Sequence, residues 1–174
     1  PGLRLAAPRD EATLRAALRA AVDIDDAPSV VRYPKTPLGA DIAALDSVDG
    51  VDVLARHDAG EGEQVLVVGV GSMAATALEV GEQLAARGLR ATGVDPRWVL
   101  PVPSALVKLA GEHDQVVCIE DGLVEGGVGS MLGQRVGEAG IRTPVLARGI
   151  PVQFLEHASV PQLVETLRLR PQDV

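Results

Sequence analysis

The chain has 174 residues, nearly half of them apolar but only three aromatic (Tyr33, Trp98 and Phe154), enough for one domain and a piece of another with a core of Leu, Val, Ile and Ala. A formal charge of −8 argues against generic nucleic-acid binding and against an acidic membrane surface, since both recruit cations, and the shortage of rings argues against base stacking. Cys118 is the only cysteine, so no internal disulfide forms and a reducing, cytoplasmic setting is expected; the longest uncharged run, residues 64–78, is too short and glycine-rich to span a bilayer.

In chain order, residues 3–6 read as a short strand. Asp10 can cap a helix in which Leu14, Leu18, Ala21 and Val22 recur at helical spacing, and residues 29–33 read as a second strand. A strand, helix and strand of this size cannot bury both faces alone, so residues 1–36 are expected to be the tail of a domain whose body lies upstream. Prolines and glycines interrupt any periodicity over residues 37–50, which read as a linker. A second domain is expected over residues 51–174. Strands at 51–55, 65–70, 91–94, 115–119 and 145–147 largely alternate with helices at 74–87, 104–112 and 130–138, and a last helix spans 161–167. This alternation predicts an α/β fold of three layers, with helices on both faces of a mostly parallel sheet.

The stretch from Val116 to Ser130 says most. An apolar run stops at Glu120 and Asp121 and turns through Gly126, Gly127 and Gly129 into a helical pattern that Ser130 can cap. Such a turn suits close packing or an anion at the helix N-terminus, and Glu120, Asp121 and Glu125 around it would repel a phosphate, which favours packing. The paired acids could act as acid and base; more often, acids at a strand's end hold a neighbouring loop by hydrogen bonds. Gly69-Val70-Gly71 follows a buried strand, and Asp95 ends the next one. That is the dinucleotide fingerprint, and a NAD-binding regulatory module stays open on it. Equally, any tight strand-to-helix turn recruits glycine, and Asp95 could brace a loop through Arg97.

His57, His113 and His157 are scattered without metal-ligand spacing, and Ser130 lacks the second flanking glycine of a nucleophile elbow. Around Lys35 the pattern is different. Alternation puts Arg32 and Tyr33 on opposite faces of a strand, Pro34 stiffens its exit, and Lys35 projects as a point charge suited to a phosphate monoester. A solvated lysine beside a domain boundary fits the same spacing.

Five motifs in register carry a family likeness: Ala7-Pro8-Arg9-Asp10; Pro28 to Lys35; Asp95-Pro96-Arg97-Trp98 through Pro103; Glu120-Asp121 through Ser130; and Gly149-Ile150-Pro151 to Phe154. Over nearly its whole length the chain resembles the C-terminal part of the 1-deoxy-D-xylulose-5-phosphate synthase family in its actinobacterial form. The resemblance implies a transketolase-like C-terminal domain over residues 51–174, with a five-stranded sheet whose strand near Val51 is antiparallel. It implies that residues 1–36 are a β-α-β remnant of a pyrimidine-binding domain. It further implies a homodimeric enzyme that joins pyruvate to glyceraldehyde 3-phosphate with loss of CO2, using thiamine diphosphate and Mg2+, for isoprenoid and thiamine biosynthesis. By position, Lys35 falls where the family places a cation, often arginine, against the aldehyde's phosphate, and Thr36-Pro37 departs from the glycine that commonly follows it. No catalytic, cofactor-binding or metal-binding residue of the family maps onto this chain, so the chain alone is expected to be inactive and framework-forming. A 2-oxo-acid dehydrogenase beta subunit or a transketolase would share the fold.

Overall fold

The computed structural model describes residues 2–35, 37 and 39–174. Strand β1 (Arg4–Ala6), helix α1 (Glu11–Val22) and strand β2 (Ser29–Val31) come first. There follow β3 (Asp46–Val48), β4 (Val51–His57), β5 (Gln64–Gly69), α2 (Ala74–Ala86), β6 (Arg90–Asp95), β7 (Trp98–Leu100) and α3 (Ser104–Gly111). The chain ends with β8 (Gln115–Leu123), α4 (Val128–Glu138), β9 (Val145–Ile150) and α5 (Val160–Thr166).

The larger sheet runs β3-β4-β6-β5-β8-β9. Strands β6, β5, β8 and β9 are mutually parallel, and β4 is antiparallel to β6, as expected for the strand near Val51. A sixth strand, β3, extends the edge antiparallel to β4. It falls inside the stretch read as a linker. Asp49 and Gly50 both have positive φ (45° and 88°), the two-residue hairpin turn whose twist matches the flanking strands, and an Asp-Gly pair is its signal.

Both faces of this sheet are covered, which is why residues 65–68 are apolar without alternation. Leu66, Val68, Val116 and Cys118 pack with Leu106 and Leu109 of α3 and Leu132 and Val136 of α4. On the other face Val65, Val67, Val117 and Ile119 pack with Ala77 and Val80 of α2 and with Leu169 after α5. The core is therefore aliphatic, as the composition required.

A second, small sheet has the order β2-β1-β7, with β1 parallel to β2 and antiparallel to β7. Strand β7 escaped the sequence reading because three residues between Pro96 and Pro101 carry too little periodicity; its partner lies some ninety residues earlier. Helix α1 starts as its Asp10 cap predicts, with the Thr13 N–H donating to Asp10 Oδ1 at 2.8 Å. Its apolar stripe is open: Val22 is 83% exposed and Leu18 47%, and only Ala17 is buried.

The apolar run at 116–119 does not stop at the acids. Strand β8 continues to Leu123, because β9 stays beside it, with Leu123 opposite Ile150 after an irregularity. Helix α4 starts at Val128 rather than Ser130, so Gly127 is its N-cap and Gly129 sits in its first turn. A Cβ on Gly129 would lie 2.7 Å from Ala147 Cβ and 3.3 Å from Cys118 Cβ, a closeness only glycine allows, whereas one on Gly137 of the same helix would meet nothing within 4 Å. Gly129→Ala is expected to destabilise the fold by about 1–3 kcal/mol through overpacking. Gly137→Ala is expected to stabilise it by about 0.5 kcal/mol through helix propensity. Urea denaturation of the two variants beside the parent checks both signs.

Candidate functional site

The carboxyl ends of β5 and β8 lie side by side, and Ala7, the residue after β1, packs against the turn that leaves β5. The Val70 N–H donates to the Ile119 carbonyl at 2.9 Å, and Gly71, with φ of 56°, accepts contact from Ala7, whose carbonyl oxygen would sit 3.2 Å from a Cβ there. Gly69 in turn lets α2 close onto the sheet, since a Cβ would stand 2.7 Å from Ala77 Cβ. The glycines of the dinucleotide pattern are thus used up by packing. Its acid is used too: Asp95 has no exposed surface, accepts from the Arg97 N–H at 2.9 Å and receives Arg9 at 2.7 Å. The loop-bracing reading of Asp95 is the one the structure supports.

Arg9 sits at the centre of a buried charge cluster. Its Nη1 donates to Asp52 on β4 (2.8 Å) and to Asp95 on β6 (2.7 Å), while Nε and Nη2 donate to the Ile42 carbonyl. Asp10 stands 3.3 Å from its Nε, and Arg97 approaches Asp52 from the rim at 3.3 Å. Burial works against the charged form of Asp10, but hydrogen bonds from Thr13 and the Ile42 N–H, with Arg9 beside it, hold its pKa below the usual carboxylate value. Asp95 is different. Burial, with the like charge of Asp52, outweighs Arg9 and pushes it up to about 6.

At the end of β8 the two acids point to separate partners. Glu120 is 3% exposed and accepts the Val128 N–H on Oε2 (3.0 Å) and the Gly129 N–H on Oε1 (2.9 Å). The anion at the N-terminus of α4 is therefore the protein's own carboxylate, placed where the helix dipole favours negative charge. Ser130, the cap anticipated from sequence, instead donates its hydroxyl to the Val124 carbonyl inside the turn. Burial raises the Glu120 pKa; the Gly129 and Val128 N–H groups pull against that rise without cancelling it, and Asp121 adds to it.

Asp121 turns outward. Its Oδ1 accepts from Arg32 Nη1 at 2.5 Å, its carbonyl accepts from Arg32 Nη2 at 3.0 Å, and its Oδ2 accepts from the Ser72 hydroxyl at 3.0 Å. This was the loop-holding use of strand-end acids, and the loop held is the exit of β2. Three residues on, Lys35 lies exposed in a bend, with no ion pair to its ammonium among the described residues. Thr36, the departure from the family pattern, lies outside the described residues. Pro34, Ser72 and Asp121 border a cavity of about 740 Å3 under helices α2 and α5. The signal that could have joined Arg32 to Asp121 is absent from local spacing, because 89 residues separate them.

Cys118 is fully buried and burial raises its thiol pKa, so it is a core side chain. Among the described residues no three His, Cys, Asp or Glu side chains gather as a metal site would require, and no helix is long and apolar enough to cross a membrane.

The family model described as the transketolase C-terminal domain matches residues 55–174. A 1-deoxy-D-xylulose-5-phosphate synthase from Kocuria rhizophila is 55% identical over 171 residues, covering 95% of this chain and 26% of the relative. The enzyme of the same name from Arthrobacter sp. is 49% identical over all of this chain and 27% of the relative. The chain thus spans about a quarter of the length of the curated relatives it matches. Among solved structures, a split-gene transketolase in an inactive beta4 tetramer has a TM-score of 0.77 at 28% identity, covering 99% of this chain and 55% of that one. The transketolase from Campylobacter jejuni, at 16% identity and TM-score 0.73 over 99% of this chain and 25% of that one, shares the fold.

An acid whose pKa is higher in the folded state than in the unfolded state holds its proton more tightly when folded. The contribution of Asp95 to stability is therefore present below about pH 4 and lost as the pH rises to about 6, a loss on the order of 3 kcal/mol. Equilibrium unfolding measured at several pH values is expected to show this decline between about pH 4 and 6, and Asp95→Asn is expected to flatten it in that window.

Proposed function

The chain belongs to the transketolase C-terminal domain family, and we propose that it is the C-terminal part of a 1-deoxy-D-xylulose-5-phosphate synthase. The supporting observation is the extent of the likeness. Alignments at 49–50% identity to synthases of that name cover the whole chain, residues 1–50 as well as the family domain, and therefore include β1, α1 and β2. The split-gene transketolase, at 28%, is a more distant relative over the same span. On this reading the intact enzyme condenses pyruvate with glyceraldehyde 3-phosphate and releases CO2, in the cytoplasm and as a homodimer. Residues 1–36 are then the last β-α-β unit of a pyrimidine-binding domain, residues 37–50 lead out of it, and residues 51–174 are the third domain.

In such enzymes thiamine diphosphate with Mg2+ would supply the nucleophilic carbon for the carboligation. The residues of this chain do not fit that group. Each buried carboxylate already has its donors: Asp10 takes Thr13 and Ile42, Asp52 and Asp95 share Arg9, and Glu120 takes Val128 and Gly129. None is left to coordinate magnesium without breaking a buried pair, which is strongly unfavourable. The open stripe of α1, with Leu18 and Val22 exposed, suits burial against upstream polypeptide of the same enzyme. The chain's part in the chemistry is then framework, together with one substrate contact: Lys35, a compact exposed cation beyond β2, binds the phosphate of the aldehyde.

Calorimetric titration of the isolated chain with thiamine diphosphate and Mg2+ is expected to give no binding heat; stoichiometric binding would defeat the assignment of the cofactor site to upstream domains. In the intact polypeptide, Lys35→Ala is expected to raise KM for glyceraldehyde 3-phosphate about 10- to 100-fold, the worth of a charge-assisted hydrogen bond. KM for pyruvate should stay within about twofold. Equal effects on both substrates would count against a phosphate role.

A further inference from the structure

We propose that Asp121, with Ser72 behind it, is a positioning residue for the aldehyde substrate: it clamps Arg32 and so sets where the β2 exit presents Lys35. The proposal rests on the reading of Lys35 as the phosphate contact. It adds a residue from the third domain, reached through no ligand of its own.

The clamp is two-pronged. Arg32 gives one Nη to the Asp121 carboxylate (2.5 Å) and the other to the Asp121 carbonyl (3.0 Å), so the guanidinium is held in direction as well as in distance. A second tie orients the carboxylate: its other oxygen accepts the Ser72 hydroxyl at 3.0 Å, and Ser72 lies in the 3-10 turn (Gly71–Met73) seated on Ala7 through Gly71. The other end of the same exit is tied by the Arg32 N–H, which donates to the Ala6 carbonyl at 2.8 Å. Beyond Arg32, among the described residues, residues 33–35 have no strand partner, and Tyr33 is 55% exposed.

Position here is worth more than stability. Arg32 and Asp121 keep 43% and 27% of their side-chain surface, and a pair so wet contributes little to holding the fold together. A point charge three residues away is another matter, since displacing a binding group by about 1 Å can cost on the order of 100-fold in rate. Pro34 stiffens the link between clamp and cation, fixing φ next to Lys35. Pro34, Ser72 and Asp121 also share the wall of the 740 Å3 cavity, so the clamp and the β2 exit border one space.

The test uses the intact enzyme, with glyceraldehyde 3-phosphate and unphosphorylated glyceraldehyde as alternative acceptors. Asp121→Ala is expected to raise KM for the phosphorylated aldehyde about tenfold while changing KM for pyruvate and for glyceraldehyde by less than about twofold. In the Lys35→Ala background, Asp121→Ala is expected to add little, because the cation it positions is gone. The exchanged pair Arg32→Asp with Asp121→Arg should recover part of the loss. If Asp121→Ala affects both aldehydes alike, or if its effect multiplies with that of Lys35→Ala, the clamp is overturned while the lysine reading stands. If Lys35→Ala fails to discriminate between the two aldehydes, the lysine reading falls and the clamp falls with it.

Discussion

One guanidinium holds the two parts of this chain together. Arg9 lies three residues past the end of β1 at Ala6, and its side chain is out of water between Asp52 on β4 and Asp95 on β6. A buried cation is tolerated only with its partners in place, so the position of the segment after β1 and that of these two strands cannot be varied independently. Its neighbours inherit the constraint. Asp10 caps α1 and accepts the Ile42 N–H, which brings the connecting segment back against the cluster. Asp95 takes the Arg97 N–H and steadies a residue at φ of 53°, from which the chain turns into β7 to pair with β1.

The outcome of that pairing is chemical as well as structural. In open α/β sheets the crevice at the carboxyl ends of strands flanking a change in winding direction is the usual ligand site. Here that crevice lies between β5 and β8, where Ala7 packs against Gly71 and a cavity of about 280 Å3 lined by Ala7, Val70 and Glu120 stays open. The N-terminus of α4, the other ready-made anion site, is filled by Glu120. That helix terminus is satisfied from within, and the polar groups at the rim are Asp121 and Arg32, paired with each other, and beyond them the exposed Lys35.

Much of the architecture was legible from residue order. Continuous apolar runs at 65–68 and 116–119 marked strands covered on both faces, and Asp10 followed by helical spacing marked α1, because these signals depend on a residue's near neighbours. The misses share a cause. Strands β3 and β7 are three residues each, too short to show a period, and exist because β4 and β1 offer them partners. The extension of β8 past Glu120 was hidden because two acids look like a strand's end; β9 stays beside the strand, the α4 amides take Glu120, and Arg32 and Ser72 take Asp121.

The candidate site was legible only in part. Lys35 stood out by its cation, phenol and proline context, and the acids 120 and 121 stood out as a pair, but nothing local joined them. By itself, the order of residues determined the α/β alternation, the aliphatic core, the cap of α1 and the need for glycine ahead of α4, since periodicity, side-chain size and backbone freedom act within a few residues. Tertiary structure alone decided which carboxylate meets which cation: Arg9 with Asp95 across 86 residues, Arg32 with Asp121 across 89. Acids and bases are interchangeable as pattern, and only strand order and register bring one particular pair within hydrogen-bonding distance.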